Sequence, residues 1–421
     1  MNSIFKASFA ALATTAMLSG PVLADGHAAL SGDLKIFLDT SNPAPRATME
    51  DMITRFGELH PDLNIETNVI DREAYKTQIR NFLTADAPDV ATWYAANRMR
   101  PYVEAGLFED VSDLYEDPAL AEELASTKGA LTIDDKQWGV AYTYYQWGVY
   151  YREDIFNELG LTEPTTWEEE KANCQAILDS GRKCYTIGTK FLWTAGGWFD
   201  YLNLRTNGFD FHMQLAAGEV PWTDDRVKQT FANWRELIDM GAFIDNHASY
   251  SWQEALPFMV NGEAAAYLMG NFAVAPLREA GLTDDQIDFY QFPVINADVA
   301  LAENAPTDTF HIPAQAQNKD AARAFLKFVA SADNQTLINN GENLGQLPVN
   351  AKSSVDNDEF LNQGFEMLST NSTGGVAQFF DRDFPAEMAK AGMEGFQEFM
   401  VKPDELDRIL DRLERVRARV Y

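Results

Sequence analysis

The 421-residue chain holds only two cysteines and five histidines. His27, His60, His212, His247 and His311 are scattered with no ligand spacing between them, so no metal centre and no cofactor is expected. Basic residues are also scarce: 33 Lys and Arg stand against 64 Asp and Glu, a net charge of −31. That field repels phosphate backbones and anionic lipid, which speaks against nucleic-acid partners and membrane-surface binding. The acids are interspersed with Lys and Arg rather than gathered in a tail, which reads as a solvated surface. Three catalytic signatures are missing: the G-x-S-x-G elbow, H-E-x-x-H and a phosphate-cradling glycine loop. With so many carboxylates, the sequence neither displays nor excludes the acid pair of a glycosidase. Past the N-terminus no apolar run is long enough to span a bilayer, so no membrane insertion is expected.

What is present begins with "MNSIFKASFAALATTAMLSGPVLA". A lysine, an apolar stretch and Val22-Leu23-Ala24 read as a signal peptide, residues 1–24, with no cysteine for a lipid anchor. The remainder is expected outside the cytoplasmic membrane. In an exported chain the close pair Cys174 and Cys184 is expected to form a disulfide. Length alone predicts two domains. "DLKIFLD", "LNIETNVI" and "DVATWYA" read as strands, with helices between them, so the N-terminal part is an α/β layer with a mainly parallel sheet. Ligands of such sheets sit beyond the carboxyl ends of the strands. That rule selects Asp39, Ser41 and Asn42 after the first strand, and Trp93, Tyr94 and Asn97 around the end of the third.

Two stretches are unusual. "KQWGVAYTYYQWGVYYRED" is crowded with rings, and strand alternation predicts Tyr145 and Trp147 on one face, with Tyr142, Tyr144 and Gln146 on the other. "TKFLWTAGGWFDYLNLRTNG", residues 189–208, sets Trp193 and Trp198 around a glycine pair and follows them with Asp200, Asn203, Arg205 and Asn207. It is either core packing or a cleft wall. Flat rings beside carboxylates, amides and guanidinium groups suit a pyranose, whose C–H face packs on a ring while its hydroxyls take directional hydrogen bonds. On this reading Trp193, Trp198 and Asp200 line a cleft, the glycines let the backbone approach the ligand, and Arg205 and Asn207 buttress the loop.

Four further stretches carry a family likeness. "YYREDIFNELGLTEPTTWEE" (150–169), "ALPFMVNGEAAAYLMGNF" (255–272), "AQNKDAARAFLKFVASADNQ" (316–335) and "GQLPVN" stand in the order found in the carbohydrate class of extracellular solute-binding proteins. With the N-terminal strand pattern, the resemblance spans nearly the whole mature chain. It implies a two-lobed periplasmic binding protein fold, type II-like, each lobe a mainly parallel sheet flanked by helices, with a multi-strand hinge. The lobes would comprise residues 30–145 plus 293–330, and 146–292 plus 331–421. It implies capture of a mono- or oligosaccharide in the interlobe cleft of a monomer, delivery to the permease subunits of an ABC importer, a periplasmic location and no enzymatic activity.

By the same resemblance Trp93 matches the family's stacking aromatic, and Asp39, Ser41 and Asn42 its first polar loop. Tyr145 and Trp147 lie near a hinge-strand contact, and Gln378, Phe379, Arg382 and Asp383 near a late contact region. Asn271, in "GNF", stands where many relatives carry Trp. Rival readings are a polyol, polyamine or ferric-ion binder of the same fold and a secreted glycan-active enzyme. Tyr144-Tyr145 and Tyr150-Tyr151 are the paired tyrosines that an iron site would use.

Overall fold

The computed structural model describes residues 30–340, 344–355, 358–368 and 374–421; the expected signal peptide lies outside them. Strand Gly32–Leu38 buries Leu34, Ile36 and Leu38 and pairs in parallel with Leu63–Val69 and Val90–Tyr94. Helices Pro43–Leu59 and Arg72–Ala85 make the crossovers. Proline opens the first helix, where its missing N–H removes no bond. Asp71 caps the second by accepting from the Glu73 and Ala74 N–H groups.

Two sheets form two lobes. The first has five strands in spatial order Leu63–Val69, Gly32–Leu38, Val90–Tyr94, Thr307–His311, Val140–Tyr144. The second has four: Ile287–Tyr290, Trp147–Arg152, Ala264–Gly270, Lys183–Tyr185. In each sheet one strand runs against the rest, Thr307–His311 in the first and Trp147–Arg152 in the second. These are the strands on which the chain has just arrived from the other lobe. The aromatic stretch is thus two strands in two sheets. Its face alternation breaks at residues 145–146, which is why Tyr142, Tyr145 and Trp147 all reach one cavity.

The hydrophobic cores divide the chain cleanly. One runs from Leu34 to Tyr142 and resumes from Phe310 to Val349; the other runs from Tyr145 to Phe292 and resumes from Phe360 to Leu413. The expected boundaries at 293 and 330 are therefore displaced. Gln335 staples the helix Ala332–Asn339 to the first lobe by donating to the Ala141 carbonyl and accepting from the Val349 and Asn350 N–H groups. Strand Ala302–Asn304 instead pairs with Gly375–Ala377, and Ala302 packs on Leu204 and Ala377 of the second lobe. Among the described residues no helix is long and apolar enough to cross a membrane.

Cys174 and Cys184 are bonded at a separation of ten residues. Closing so short a loop constrains the unfolded chain by about 2–3 kcal/mol. A Cys174→Ser/Cys184→Ser double variant is expected to lose that much unfolding free energy in urea titration; an unchanged midpoint would mean that the bridge constrains nothing the folded chain depends on.

Candidate functional site

A cavity of about 430 Å³ lies between the lobes, within the range of small-molecule sites. Its first-lobe wall forms where strands end. Asp39 follows the first strand, and its Oδ2 accepts the Tyr94 hydroxyl at 3.1 Å and lies 3.4 Å from Arg72 Nε. Arg72 also donates to Asp308 at 3.2 Å, and Asp308 accepts Arg382 Nη2 at 2.9 Å from the second lobe. Arg382 further donates to the Tyr145 hydroxyl at 2.7 Å and to the Thr307 carbonyl, and stacks 4.5 Å from the Tyr94 ring centre. Carboxylate, guanidinium, carboxylate and guanidinium thus alternate across the hinge.

Electrostatics follow from that alternation. Burial works against both charged guanidinium groups, but Asp39, Tyr94 and Asp308 around Arg72, and Tyr145, Asp308 and Asp381 around Arg382, outweigh it and raise both pKa values. Burial pushes the Tyr145 hydroxyl up to about 12 against the opposing pull of Arg382, so it stays a neutral donor and acceptor at physiological pH. Lys76 is lowered by burial although Glu73 sits 2.9 Å away.

The second-lobe wall is aromatic. Trp147 meets Phe379 at 4.6 Å and Trp193 edge-on at 5.9 Å between ring centres, while Phe272 meets Tyr145 at 5.1 Å and Trp252 at 5.2 Å. Trp193 closes across the cleft, its indole N–H donating to Glu73 Oε1 at 3.3 Å. Its position rests on a strained turn: Leu192 has φ 71° and ψ −41°, and the Trp193 N–H bonds to the Phe191 carbonyl at 2.9 Å. This is a γ-turn with a bulky residue at its centre, a conformation kept only where the surroundings hold it.

Of the expected site residues, Asp39, Ser41, Asn42, Tyr94, Tyr145, Trp147, Trp193, Phe379 and Arg382 line this cavity. Six do not. Trp93 alternates with Tyr94 onto the opposite face, bonds to the Arg98 carbonyl and borders an adjoining cavity of about 490 Å³. Asn97 donates across the lobes to the Asp383 carbonyl at 2.6 Å. Gln378 bonds to Thr307 through both ends of its amide. Asn271 is buried behind the wall, and the rings at that corner come from Phe272 and Trp252.

The remaining two overturn the loop reading of residues 189–208. Trp193–Asn207 is a helix whose interior is almost wholly buried. Trp198 packs at 4.8 Å on Tyr185 and 5.0 Å on Phe243, deep in the second core, and Asp200 accepts the Phe380 N–H at 2.7 Å. The glycines serve side chains rather than a ligand. A Cβ on Gly197 would lie 2.7 Å from Trp147 and 3.3 Å from Phe379, so its absence lets both cleft rings rest on the helix. Arg205 does buttress, pairing with Glu303 and the Phe292 and Ala302 carbonyls. Sequence reasoning missed Arg72, Glu73, Lys76 and Asp308. The strand-end rule, applied to the second strand as well, selects Arg72 and Glu73; Asp308 carried no signal, since it arrives on a strand from the other lobe.

The paired tyrosines separate. Tyr144 packs against the first core and Tyr145 belongs to the second; the buried Tyr150 lies between Phe289 and Phe360.

Residues 40–336 match the family profile of the bacterial extracellular solute-binding proteins. An uncharacterised ABC transporter extracellular-binding protein of Pyrococcus horikoshii is 25% identical, over 90% of this chain and 87% of its own. A mannitol-binding protein of Pseudomonas aeruginosa is 24% identical, over 86% of this chain and 81% of its own. The solved structure of the bacterial solute receptor AcbH, described as having an exclusive preference for β-D-galactopyranose, superposes with a TM-score of 0.84 at 24% identity, covering 93% of this chain and 99% of that one.

The two indoles of the 189–208 segment separate wall from core. Trp198→Ala is expected to cost about 3–5 kcal/mol of unfolding free energy, whereas Trp193→Ala, at the half-buried cleft edge, is expected to cost less than about 1.5 kcal/mol. Equal losses in denaturant titration would remove the distinction.

Proposed function

The chain belongs to the bacterial extracellular solute-binding proteins, and from that premise we propose that it captures a small neutral sugar or sugar alcohol between its lobes for an ABC importer. The observation that carries this reading is the pairing of charge inside an aromatic cavity. Arg72 has Asp39 and Asp308, Arg382 has Asp308, Lys76 has Glu73 at 2.9 Å, and Lys190 has Glu254 at 3.6 Å. With each cation already answered by a carboxylate, an anionic solute finds no free counter-charge. What remains on offer is rings for stacking and oriented polar atoms for hydroxyl groups, together with the carboxylates of Asp71, which caps a helix, and Asp381, which lies 3.4 Å from Arg98.

Asp39, Ser41 and Asn42 with Arg72 would hold hydroxyls on the first-lobe side, while Trp147, Trp193 and Phe379 would carry the apolar face of the solute. Residues 145–146 and 291–306 join stretches that pack in different cores, and with the crossing that follows Asn350 they would serve as hinge. The protein would act as a monomer in the periplasm. The names of the relatives agree with this class, since a mannitol binder and a galactopyranose receptor both take neutral polyhydroxylated ligands. Ferric ion is disfavoured because Tyr145 already accepts from the cationic Arg382.

A thermal-shift screen of residues 25–421 against monosaccharides, disaccharides, mannitol, a polyamine and ferric citrate tests the reading. A ligand at a hundredfold excess over its Kd adds about 2.7 kcal/mol, several degrees in Tm. The expected outcome is a shift with a neutral sugar or polyol, and loss of about tenfold or more in affinity for it in Trp193→Ala. A shift with the polyamine or iron alone would overturn the ligand class.

A further inference from the structure

Behind the aromatic wall lies a second buried charge cluster whose own side chains do not line the cavity. His212 Nε2 stands 3.9 Å from Asp200 Oδ1 and 3.8 Å from Asp383 Oδ2, and all three residues are more than nine-tenths buried. These two carboxylates are the charged groups that face the ring from the elements packed on it; Asn203 meets its other nitrogen at 3.2 Å and Phe384 its edge. The carboxylates also hold three consecutive backbone N–H groups. Asp383 Oδ2 accepts from Gln378 at 3.0 Å and from Phe379 at 3.3 Å, and Asp200 Oδ2 accepts from Phe380 at 2.7 Å. The segment so held supplies Phe379, Asp381 and Arg382 to the cavity, and the Asp383 carbonyl receives Asn97 from the opposite lobe.

The proton on the ring can be traced through amides. Asn207 donates to the Arg226 carbonyl, which fixes its NH2 group, and the same group donates to Asn203 Oδ1. The Asn203 NH2 therefore faces His212 Nδ1, so in the neutral ring Nδ1 accepts and the proton sits on Nε2, 3.9 and 3.8 Å from the two carboxylates and within hydrogen-bond distance of neither. One N–H cannot fully satisfy two charges in a dry site.

We infer that Asp200, His212 and Asp383 form a proton-linked latch that positions residues 378–383, and with them Phe379 and Arg382, for ligand capture. That they are positioning residues for capture rests on the function proposed above; the latch itself does not. Burial raises the Asp200 pKa to about 7, with His212 opposing and Asp383 reinforcing the rise. Burial disfavours a charge on the ring, but Asp383 and Asp200 outweigh it and raise its pKa. Both shifts have one sign. The folded state holds protons that the unfolded chain has released, so the latch is favoured at low pH and that contribution is lost as pH rises through about 7; the Phe380 N–H and Asn304 bonds, which favour the charged Asp200, oppose the loss without outweighing burial.

Hydrogen exchange of the full-length mature protein without ligand, followed on a peptide covering residues 374–388 and corrected for intrinsic rates, tests the latch directly. Wild type is expected to lose protection at residues 378–380 between pH 6 and 8.5. Asp200→Asn, which mimics the neutral carboxyl, should keep it at both pH values, and His212→Gln should exchange about tenfold or more faster at pH 6. A wild-type slope persisting in both variants overturns the latch. Should neither variant fold, ring 15N NMR of wild type at pH 8.5 decides: the Nε2–H tautomer is required, and Nδ1–H overturns it. Calorimetry with mannitol, galactose and maltose adds the second arm, in which affinity should fall with pH in wild type and stay level in Asp200→Asn. If none of these binds while exchange behaves as stated, the ligand class fails and the latch stands; binding with a flat exchange profile does the reverse.

Discussion

Asp308 holds two guanidinium groups at once, Arg72 from the first lobe and Arg382 from the second, and it sits on the strand by which the chain returns to the first sheet. Taking such charges out of water carries a penalty of several kcal/mol per ion, so the arrangement adds little net stability. Its consequence is geometric. Asp39 and Asp308 balance Arg72 and Arg382 two against two, and removing any one member leaves an uncompensated charge. The lobes are thereby registered to each other within hydrogen-bond tolerance, and Tyr94 and Tyr145 are fixed because their hydroxyls complete the same network.

Aromatic packing depends on that registration. Trp147 lies on the first strand of the second lobe, two residues beyond Tyr145, so the tyrosine anchored by Arg382 sets where the indole enters the cavity. Behind it, Gly197 removes the one Cβ that would push Trp147 and Phe379 off the helix. In front of it, the turn at Leu192 directs Trp193 back toward Glu73. The wall is set by one missing side chain, one strained residue and the hydrogen bonds from Arg382 to Tyr145 and from Trp193 to Glu73, none of which contributes to ordinary hydrophobic stability.

What the sequence made legible follows the range of the interactions involved. Strand and helix identity in the first lobe came from local periodicity and capping, and the structure reproduces Gly32–Leu38, Pro43–Leu59 and Arg72–Ala85 with Tyr75, Ile79 and Leu83 buried. Nine expected site residues do line the cavity: Asp39, Ser41, Asn42 and Tyr94 were legible as strand ends, Tyr145, Trp147 and Trp193 as rings in unusual stretches, and Phe379 and Arg382 only through the family resemblance. The errors came from tertiary context. A helix as thoroughly buried as Trp193–Asn207 has apolar residues on every side and no amphipathic stripe, so its glycines read as a loop. Trp93 differs from Tyr94 only in strand parity, which sequence alone does not anchor to a face. The lobe boundaries hinge on Gln335 and on the pairing of Ala302–Asn304 with Gly375–Ala377, contacts with partners tens of residues or more away in sequence.

Arg382 and Asp383, adjacent in one short turn, belong to opposite networks. Arg382 points into the cleft and binds the first-sheet strand Thr307–His311 at Thr307 and Asp308, while Asp383 points into the core and faces His212. Both backbone N–H groups return to the Phe379 carbonyl at 2.8 Å, so the turn moves as a unit. Any displacement that draws Arg382 toward Asp308 must therefore carry Asp383 relative to His212 and Asp200. Two charge systems, one in the cleft and one in the core, are joined through the single peptide unit between Arg382 and Asp383. A single turn thus carries both the cleft contact of Arg382 and the core contact of Asp383, which is the geometry that the proposed latch would use to bias ligand capture.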